Sequence, residues 1–575
     1  MGLLWSGRQK ELVMSEIPNA HKDGLGRLHI LDDVRCFYRI GEEIALSHLP
    51  AGTSRVVARS SVRDAVEAEV GDGARFTQLP SGTYAIEALD AGGQLLAEEL
   101  TTVGTHPGER PVHGFATSFR DEDITDVLAW NRALRSTVVQ VYDWMASYTE
   151  PLGPTSGWKD PSNRTVSFEA LRALASGLKD LGAVTHAYAP VYAVGNAFAA
   201  EHPEMLMYSA DEQAIRFLDQ IVLANPGNVE WQRHFVATYG AASDAVGFDG
   251  FHIDTYGYPR IAQDASGHSI DLRVAYESFL DFLRVARPKD LISFNQVNGV
   301  PSAARICAEP SFRYCEIWPP NSEWRHFEGL LDRSSGTSGL IEPSTRESLM
   351  RGSLACYPPV WGVSDFTSAI EGPAREASLR TDVATEAIVT LLGASALIFG
   401  DQTAVLCDPY YPKRVHLTDV EAATVLSWRR FGLRCRDLFL EGEDTSWYEI
   451  GDENGSVAVE SSVPVSPEPL GESIFARAVH AEGLVTVGVV DLTGSPNGRW
   501  SEPTEKGKVS SVTVRVLVDD PMHWRVEAAV LGASDEHFSQ ILSREVPHRQ
   551  GRALEVELPL VDGWSVLRFK DQRTK

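Results

Sequence analysis

Two acidic side chains carry the chemistry written into this sequence. The stretch GFDGFHIDTYG (residues 247–257) reads as a buried strand that ends in Asp254 and runs into a glycine-bearing turn. Strand alternation puts Phe248, Gly250, His252 and Asp254 on one face, and Asp249, Phe251 and Ile253 on the other. Asp254 is therefore the last side chain of a face otherwise built from apolar, small or aromatic groups. The C-terminal end of a strand is where α/β proteins collect catalytic groups. A second apolar strand, FRYCEIWPP (312–320), places Tyr314, Glu316 and Trp318 together and stops at Pro319 and Pro320. The separation of Asp254 and Glu316 fits two strand–helix units. Two carboxylates at two strand mouths can face each other across a sugar, one protonating the leaving oxygen while the other attacks or activates water. Trp318 offers a flat apolar face for the ring.

Lesser candidates surround this pair. Asp143, at the end of an earlier strand with Tyr142 and Trp144, is a candidate ligand for a sugar hydroxyl, and the two aromatics either stack on sugar or pack in the core. Tyr188, Tyr192 and Asn196 follow the next strand; Asn295 and Asp401 end the fifth and eighth and are further hydroxyl ligands. His252 either bonds Asp254 or a sugar hydroxyl, or is a satisfied core histidine. Asp249 anchors a helix or loop. A lone strand-end Asp is often only a cap or turn former, so the weight on Asp254 comes from Glu316. His252 has no second histidine at ligand spacing, and no metal or other cofactor is expected.

The elements that must position these residues fall into three stretches. Residues 25–105 alternate in short apolar and polar runs between Gly-, Pro- and Asp-rich turns, which predicts a β-sandwich domain over 1–112. From 113 to 440, apolar strands alternate with helical patterns. The strand candidates are 137–145, 183–193, 219–225, 246–254, 290–297, 312–318, 352–360 and 395–401. Eight strands interleaved with helices predict an α/β (β/α)8 TIM barrel. A doubly wound sheet would normally carry a glycine-rich phosphate loop, and no G-x-G-x-x-G or Walker motif occurs. Residues 441–575 return to alternating runs and predict a second β-sandwich.

The 575 residues carry a net charge of −27, with 43% hydrophobic and 23% charged residues, a soluble multidomain composition. That acidity argues against nucleic acid or an anionic membrane as partner and suits a neutral ligand. No apolar run of about 18 residues spans a membrane. The six cysteines are scattered without zinc spacing and read as buried free thiols. The N-terminal stretch holds Arg8, Lys10 and Glu11 where the apolar core of a secretory signal would sit, so a cytoplasmic location is expected.

Six segments in order give a resemblance to glycoside hydrolase family 66, the dextranases and cycloisomaltooligosaccharide glucanotransferases. They are VYDWM (141–145), AYAPVYAVGN (187–196), NPGNVEWQ (225–232), GFDGFHIDT (247–255), CEIWP (315–319) and FGDQTAVLCDPYYP (399–412). The resemblance implies an N-terminal immunoglobulin-like domain, a (β/α)8 barrel and a C-terminal β-sandwich. It implies that Asp254 is the nucleophile and Glu316 the acid/base of retaining hydrolysis of α-1,6-glucosidic bonds in dextran or isomaltooligosaccharides, through a covalent glucosyl-enzyme. The cyclising branch of the family carries a carbohydrate-binding insert late in its barrel. Here Asp401 runs into CDPYYP within a few residues, which favours hydrolysis over cyclising transfer, the alternative reading. A non-catalytic glucan-binding protein is the rival of another class, and the presence of both carboxylates counts against it.

Overall fold

The computed structural model describes residues 31–574, except 218, 258–260, 301–310, 335–352, 356–372, 409–412, 448–454 and 534–535. Cys307, Cys356 and much of the expected strand 352–360 lie outside the described residues. Cys36, Cys315, Cys407 and Cys435 are buried free thiols.

The centre of the molecule is an eight-stranded sheet whose neighbours follow chain order. Its strands are β1 (His113–Ala116), β2 (Val138–Val141), β3 (Val184–Pro190), β4 (Gly250–Asp254), β5 (Leu291–Asn295), β6 (Ser311–Glu316), β7 (Ser353–Ala355) and β8 (Ser395–Leu397). Every pairing is parallel. The sheet curls on itself. β8 returns beside β1, and just beyond it the Asp401 N–H donates to the Phe115 carbonyl at 2.6 Å. Side chains of β1 and β6 also touch across the interior, His113 with Phe312 and with Tyr314 at centroid distances of 5.4 and 6.3 Å.

Helices cover the outside: α1 (Ile124–Ala133), α2 (Phe168–Asp180), α3 (Val229–Val246), α4 (Leu272–Ala286), α5 (His326–Ser334), α6 (Pro373–Leu391) and α7 (Asp419–Glu441). Their ends are written locally. The Ser167 hydroxyl accepts from the Ala170 N–H at the start of α2, and Asn228 caps α3 through the Glu230 and Trp231 N–H groups. Gly247, at φ 94°, closes α3 in the left-handed region and lets the chain turn straight into β4. Thr418 and Glu421 form a reciprocal capping box on α7. Outward strand residues such as Val139, Ala187, Phe251, Ile253 and Phe294 share one core with Leu171, Leu174, Trp231, Phe235 and Phe279 of the helices. Burial on both faces explains why these strands read as nearly continuous apolar runs.

Two strand assignments from the sequence need correction. β1 was not among the strands expected from the sequence, because HGFA is only four residues long and contains a glycine. The run 219–225 is no member of the central sheet. Ile221–Leu223 pairs antiparallel with Ala193–Val194 and with Arg216–Phe217 in a separate three-stranded sheet. Its apolar sequence reports burial, which the excursion also provides, and says nothing about pairing direction.

Residues 37–104 form a seven-stranded sheet around a core that includes Val56, Ile86 and Val103. It is tied to α7 by an ion pair between Arg430 and Glu99 at 2.7 Å, and the segment that follows the sheet adds a buried pair between Arg110 and Asp437 at 2.8 Å. After α7, two sheets share a core of valine, leucine and phenylalanine side chains. Among the described residues no helix is long and apolar enough to cross a membrane.

Candidate active site

The strand mouths on one rim of the curled sheet bring the predicted residues together. Asp254 ends β4, Asn295 ends β5 and Glu316 ends β6. Close approach of the first two strands needs the glycine that opens β4: a Cβ on Gly250 would lie 1.8 Å from the Leu291 carbonyl oxygen. Asn295 is the hinge of the site. Its Nδ2 donates to Asp254 Oδ1 at 2.7 Å and to Glu316 Oε2 at 2.6 Å, while its Oδ1 accepts from the Glu316 backbone N–H at 3.2 Å. One buried amide thus grips both carboxyls, which are each 8% exposed. The two acceptor oxygens lie no farther apart than the two bonds end to end, about 5.3 Å (2.7 plus 2.6).

The other contacts distinguish the two acids. Asp254 Oδ2 accepts from the Tyr188 hydroxyl at 2.7 Å, and Oδ1 also accepts from the Thr255 N–H at 2.9 Å. Tyr192 directs its hydroxyl to the same carboxyl. Burial raises the Asp254 pKa, and these donors oppose the rise. Glu316 is pushed up to about 8, first by burial and then by the negative charge of Asp254; Asn295 and the Trp318 indole oppose this. Since the donors gather on Asp254, the proton that the pair holds near neutrality belongs on Glu316. That is a protonated acid beside an ionised carboxylate, an arrangement suited to acid–base and nucleophilic work.

Below this rim the interior holds a run of packed aromatic rings. Tyr142 stacks on Tyr188 at 5.7 Å, Tyr188 on His252 at 6.2 Å, and His252 meets the edge of Tyr314 at 4.4 Å. His252 is 2% exposed and bonds Ser293 Oγ through Nδ1 at 2.9 Å. Burial holds its imidazole well below the usual value and pushes His113 and His186 down to about 3. Of the two roles open to His252, the geometry fits the core one: a buried ring stacked on Tyr188, the tyrosine that bonds Asp254.

Two expected sugar contacts are corrected. Trp144 is fully buried, with its indole N–H on the Tyr188 carbonyl at 3.1 Å and its ring against Phe248 and Tyr239. It braces the rim from outside and presents no face to a ligand. Asp401 is also fully buried. Its oxygens accept from the N–H and hydroxyl groups of Thr117 and Ser118 at 2.9–3.1 Å and pair with Arg414 at 2.6 Å. It staples the segment after β1 to the hairpin after β8, and no lone pair is left for a sugar. Tyr142 is 2% exposed and supports Tyr188 by stacking. Trp318 is half-buried beside Glu316, its backbone N–H held by Asn298 Oδ1 at 2.8 Å. Asp249, expected to anchor a helix or loop, instead anchors strand β3, accepting from the Thr185 N–H and hydroxyl at 2.9 Å.

Asp143 stands beside a residue that sequence reasoning did not select. Arg164 Nη2 lies 3.6 Å from Asp143 Oδ2. Arg164 comes from the small hairpin Trp158–Lys159/Thr165–Val166, whose fold over the rim leaves no periodic signal in sequence. Thr255 and Asn298 were likewise missed, since both act through backbone or turn geometry. Among the described residues, the one group at metal-ligand spacing is Glu87, Glu98 and His537, which includes neither Asp254 nor Glu316.

Comparison with known proteins agrees with this geometry. The sequence signature described as glycosyl hydrolase family 66 matches residues 79–567. A cycloisomaltooligosaccharide glucanotransferase of Niallia circulans is 26% identical over 285 residues, 44% of this chain and 29% of that protein. A dextranase of Streptococcus salivarius is 23% identical over 416 residues, 64% of this chain and 49% of that protein. The chain thus spans half or less of the length of these curated relatives. A solved Paenibacillus cycloisomaltooligosaccharide glucanotransferase, complexed with cycloisomaltoheptaose, superposes with a TM-score of 0.73 at 16% identity, over 93% of this chain and 98% of that one, and so shares its fold. An α/β architecture with a parallel sheet, both strand-end carboxylates and a signature match over most of the chain lead to one conclusion: the chain belongs to glycosyl hydrolase family 66.

Proposed function

We propose that the protein is a retaining glycoside hydrolase of α-1,6-linked glucose, acting on dextran or isomaltooligosaccharides, with Asp254 as nucleophile and Glu316 as acid/base. The observation that carries this reading is the Asn295 amide shared by the two carboxyls. It keeps the two oxygens it bonds no more than about 5.3 Å apart (2.7 plus 2.6), which suits the roughly 5–5.5 Å of retaining enzymes better than the roughly 6.5–9.5 Å that makes room for water in inverting ones. Glu316 donates its proton to the glycosidic oxygen as Asp254 attacks the anomeric carbon, and the leaving sugar departs. Glu316, now ionised, takes a proton from water, whose oxygen displaces Asp254 and frees the product with its configuration retained. Every atom moved belongs to substrate, water or the two carboxyls.

The scaffold for this reading is a (β/α)8 barrel over residues 113–440, flanked by an immunoglobulin-like domain before it and a β-sandwich from 441 to 575. Its support is the curled parallel sheet, the separate N-terminal sheet and the two C-terminal sheets around one core. A second reading, transfer to the substrate's own end to give a cyclic product, is favoured by the superposition over 98% of a glucanotransferase chain. One experiment tests both. Proton NMR of a fresh digest of a linear isomaltooligosaccharide should show the α-anomer first, with Asp254→Asn and Glu316→Gln inactive. First appearance of the β-anomer refutes retention, and cyclic products without new reducing ends select transfer.

A further inference from the structure

The loop that follows the acid is held from the C-terminal sheets. Beyond Glu316 the chain runs through residues 317–325 before α5 begins at His326. Within this loop the backbone of Trp318 is fixed on both sides. Its N–H donates to Asn298 Oδ1 at 2.8 Å, and the Asn298 N–H donates to the Glu316 carbonyl at 2.8 Å. Its carbonyl accepts the Asn321 N–H at 3.0 Å, which closes a turn over residues 318–321. From this position the Trp318 indole bonds the Glu316 carboxyl. The far end of the turn is gripped by Trp500, whose indole N–H donates to the Asn321 carbonyl at 2.8 Å. Trp500 is 4% exposed and comes from the long connection between Leu484–Asp491 and Ser511–Val518, strands of the two C-terminal sheets. Two neighbouring contacts repeat the attachment. The Trp324 N–H donates to the Gly498 carbonyl at 2.9 Å, and Glu323 and Arg499 form an antiparallel bridge.

The donor is itself anchored. Its connection reaches back to α6, where the Thr504 N–H donates to the Ala377 carbonyl at 3.1 Å and the Thr381 hydroxyl to the Glu502 carbonyl at 2.8 Å. The Trp500 ring packs in one core with Trp324, Phe327 and Leu330. Packing alone would be served by any large apolar side chain. A buried indole N–H also needs an acceptor, and here the acceptor belongs to the turn that carries Trp318. A general acid works only within hydrogen-bond reach of the leaving oxygen, and a misplacement of about 1 Å caused far from the chemistry can cost on the order of a hundredfold. We propose that Trp500 is a positioning residue for the acid/base: it fixes the 318–321 turn, keeps the Trp318 indole on Glu316, and so makes proton donation to the leaving sugar depend on the C-terminal sheets. The proposal rests on the glycosidase reading above.

Two substrates separate proton donation from everything else. Cleavage of isomaltotetraose needs a proton on the leaving sugar, whereas fluoride leaves α-isomaltosyl fluoride without one. The measured quantity is kcat/KM, which covers only the steps up to the glycosyl ester on Asp254, so the later need for Glu316 as base does not enter. The ratio of the two values in one sample is also independent of how much of the protein is folded. In the full chain, Trp500→Phe should lower kcat/KM for isomaltotetraose by roughly fivefold or more and that for the fluoride by less than about twofold. Trp318→Phe should show the same split, and the double variant should lose no more than the larger single loss. Benzothienylalanine in place of Trp500 keeps the ring shape and lacks only the N–H; it should reproduce the split, so a packing defect in Trp500→Phe leaves the test standing. Equal losses on both substrates, no loss, or losses that multiply in the double variant overturn the positioning role. Glu316→Gln is the control for the parent reading and should abolish isomaltotetraose cleavage while sparing the fluoride. Loss of both substrates alike in that control overturns Glu316 as the acid; a split there with none at Trp500 overturns the positioning role alone.

Discussion

Replacing Asp254 with Asn should turn Glu316 from an acid into a base. Glu316 is held at about 8 by burial and by the charge on Asp254. The magnitude of the second contribution follows from geometry. At the upper limit of about 5.3 Å (2.7 plus 2.6) between the two oxygens that Asn295 bonds, and at the effective dielectric of about 20 that describes protein sites, two unit charges interact by roughly 3 kcal/mol. That energy equals a change of roughly 2 in pKa. Neutralising Asp254 should therefore bring Glu316 from about 8 down to roughly 6. At pH 7 the group is mostly protonated beside an ionised Asp254 and mostly ionised beside a neutral one. A glycosyl ester on Asp254 is also neutral, so the same field change would arm Glu316 for the water step of the proposed double displacement. Difference infrared spectroscopy of the carboxylic C=O band, with Glu316→Gln as the assignment control, reads the midpoint directly. A midpoint in Asp254→Asn equal to or above that of the wild type would refute the reasoning, because burial alone would then hold the proton.

Three further outcomes follow from the same contacts. Asn295→Ala removes the bridge between the carboxyls; with about 1.5–3 kcal/mol for the hydrogen bond to the charged partner, kcat should fall by roughly ten- to 150-fold while circular dichroism is unchanged, and full activity would deny the bridge a role. Glu316 binds its proton more tightly folded, at about 8, than its ordinary value of 4.5. Stability from this group is therefore greatest below about 4.5 and declines as pH rises towards about 8; Glu316→Gln should flatten the Tm–pH curve across that window and melt higher than wild type at its alkaline end. Asp401→Ala strands the buried donors of Thr117, Ser118 and Arg414 and should cost about 3–5 kcal/mol of stability, read as a lowered denaturant midpoint; an unchanged midpoint would contradict the stapling role.

What was legible in the sequence was the rim. Period-two alternation and the strand-end position were enough to single out Asp254, Asn295 and Glu316, because both signals are local. The same logic failed at Asp401, which sits past the end of β8 in a left-handed turn, φ 51°, that swings its carboxyl back into the protein. Strand alternation no longer applies there. Tyr142 and Trp144 are both aromatic and two residues apart, yet one lies under Tyr188 inside the sheet and the other packs against α3 outside it. The turn at Asp143 breaks the alternation between them. His113–Ala116 was hidden by brevity, and Ile221–Leu223 was misplaced because an apolar run records burial without direction. Arg164 could not be found by period or motif, since only the fold of a two-residue hairpin brings it to Asp143.

The central claim, that Asp254 is the atom donor of a covalent glycosyl ester, is tested most directly by trapping that ester. In Glu316→Gln the base for the water step is missing, while an activated α-glycosyl fluoride needs no acid to leave. Mixing the two, quenching in acid and mapping peptides by mass spectrometry should show one added glycosyl residue on the peptide that contains Asp254. An unmodified protein that nonetheless releases fluoride, or a label on Asp143 or Asp249 instead, would contradict the account.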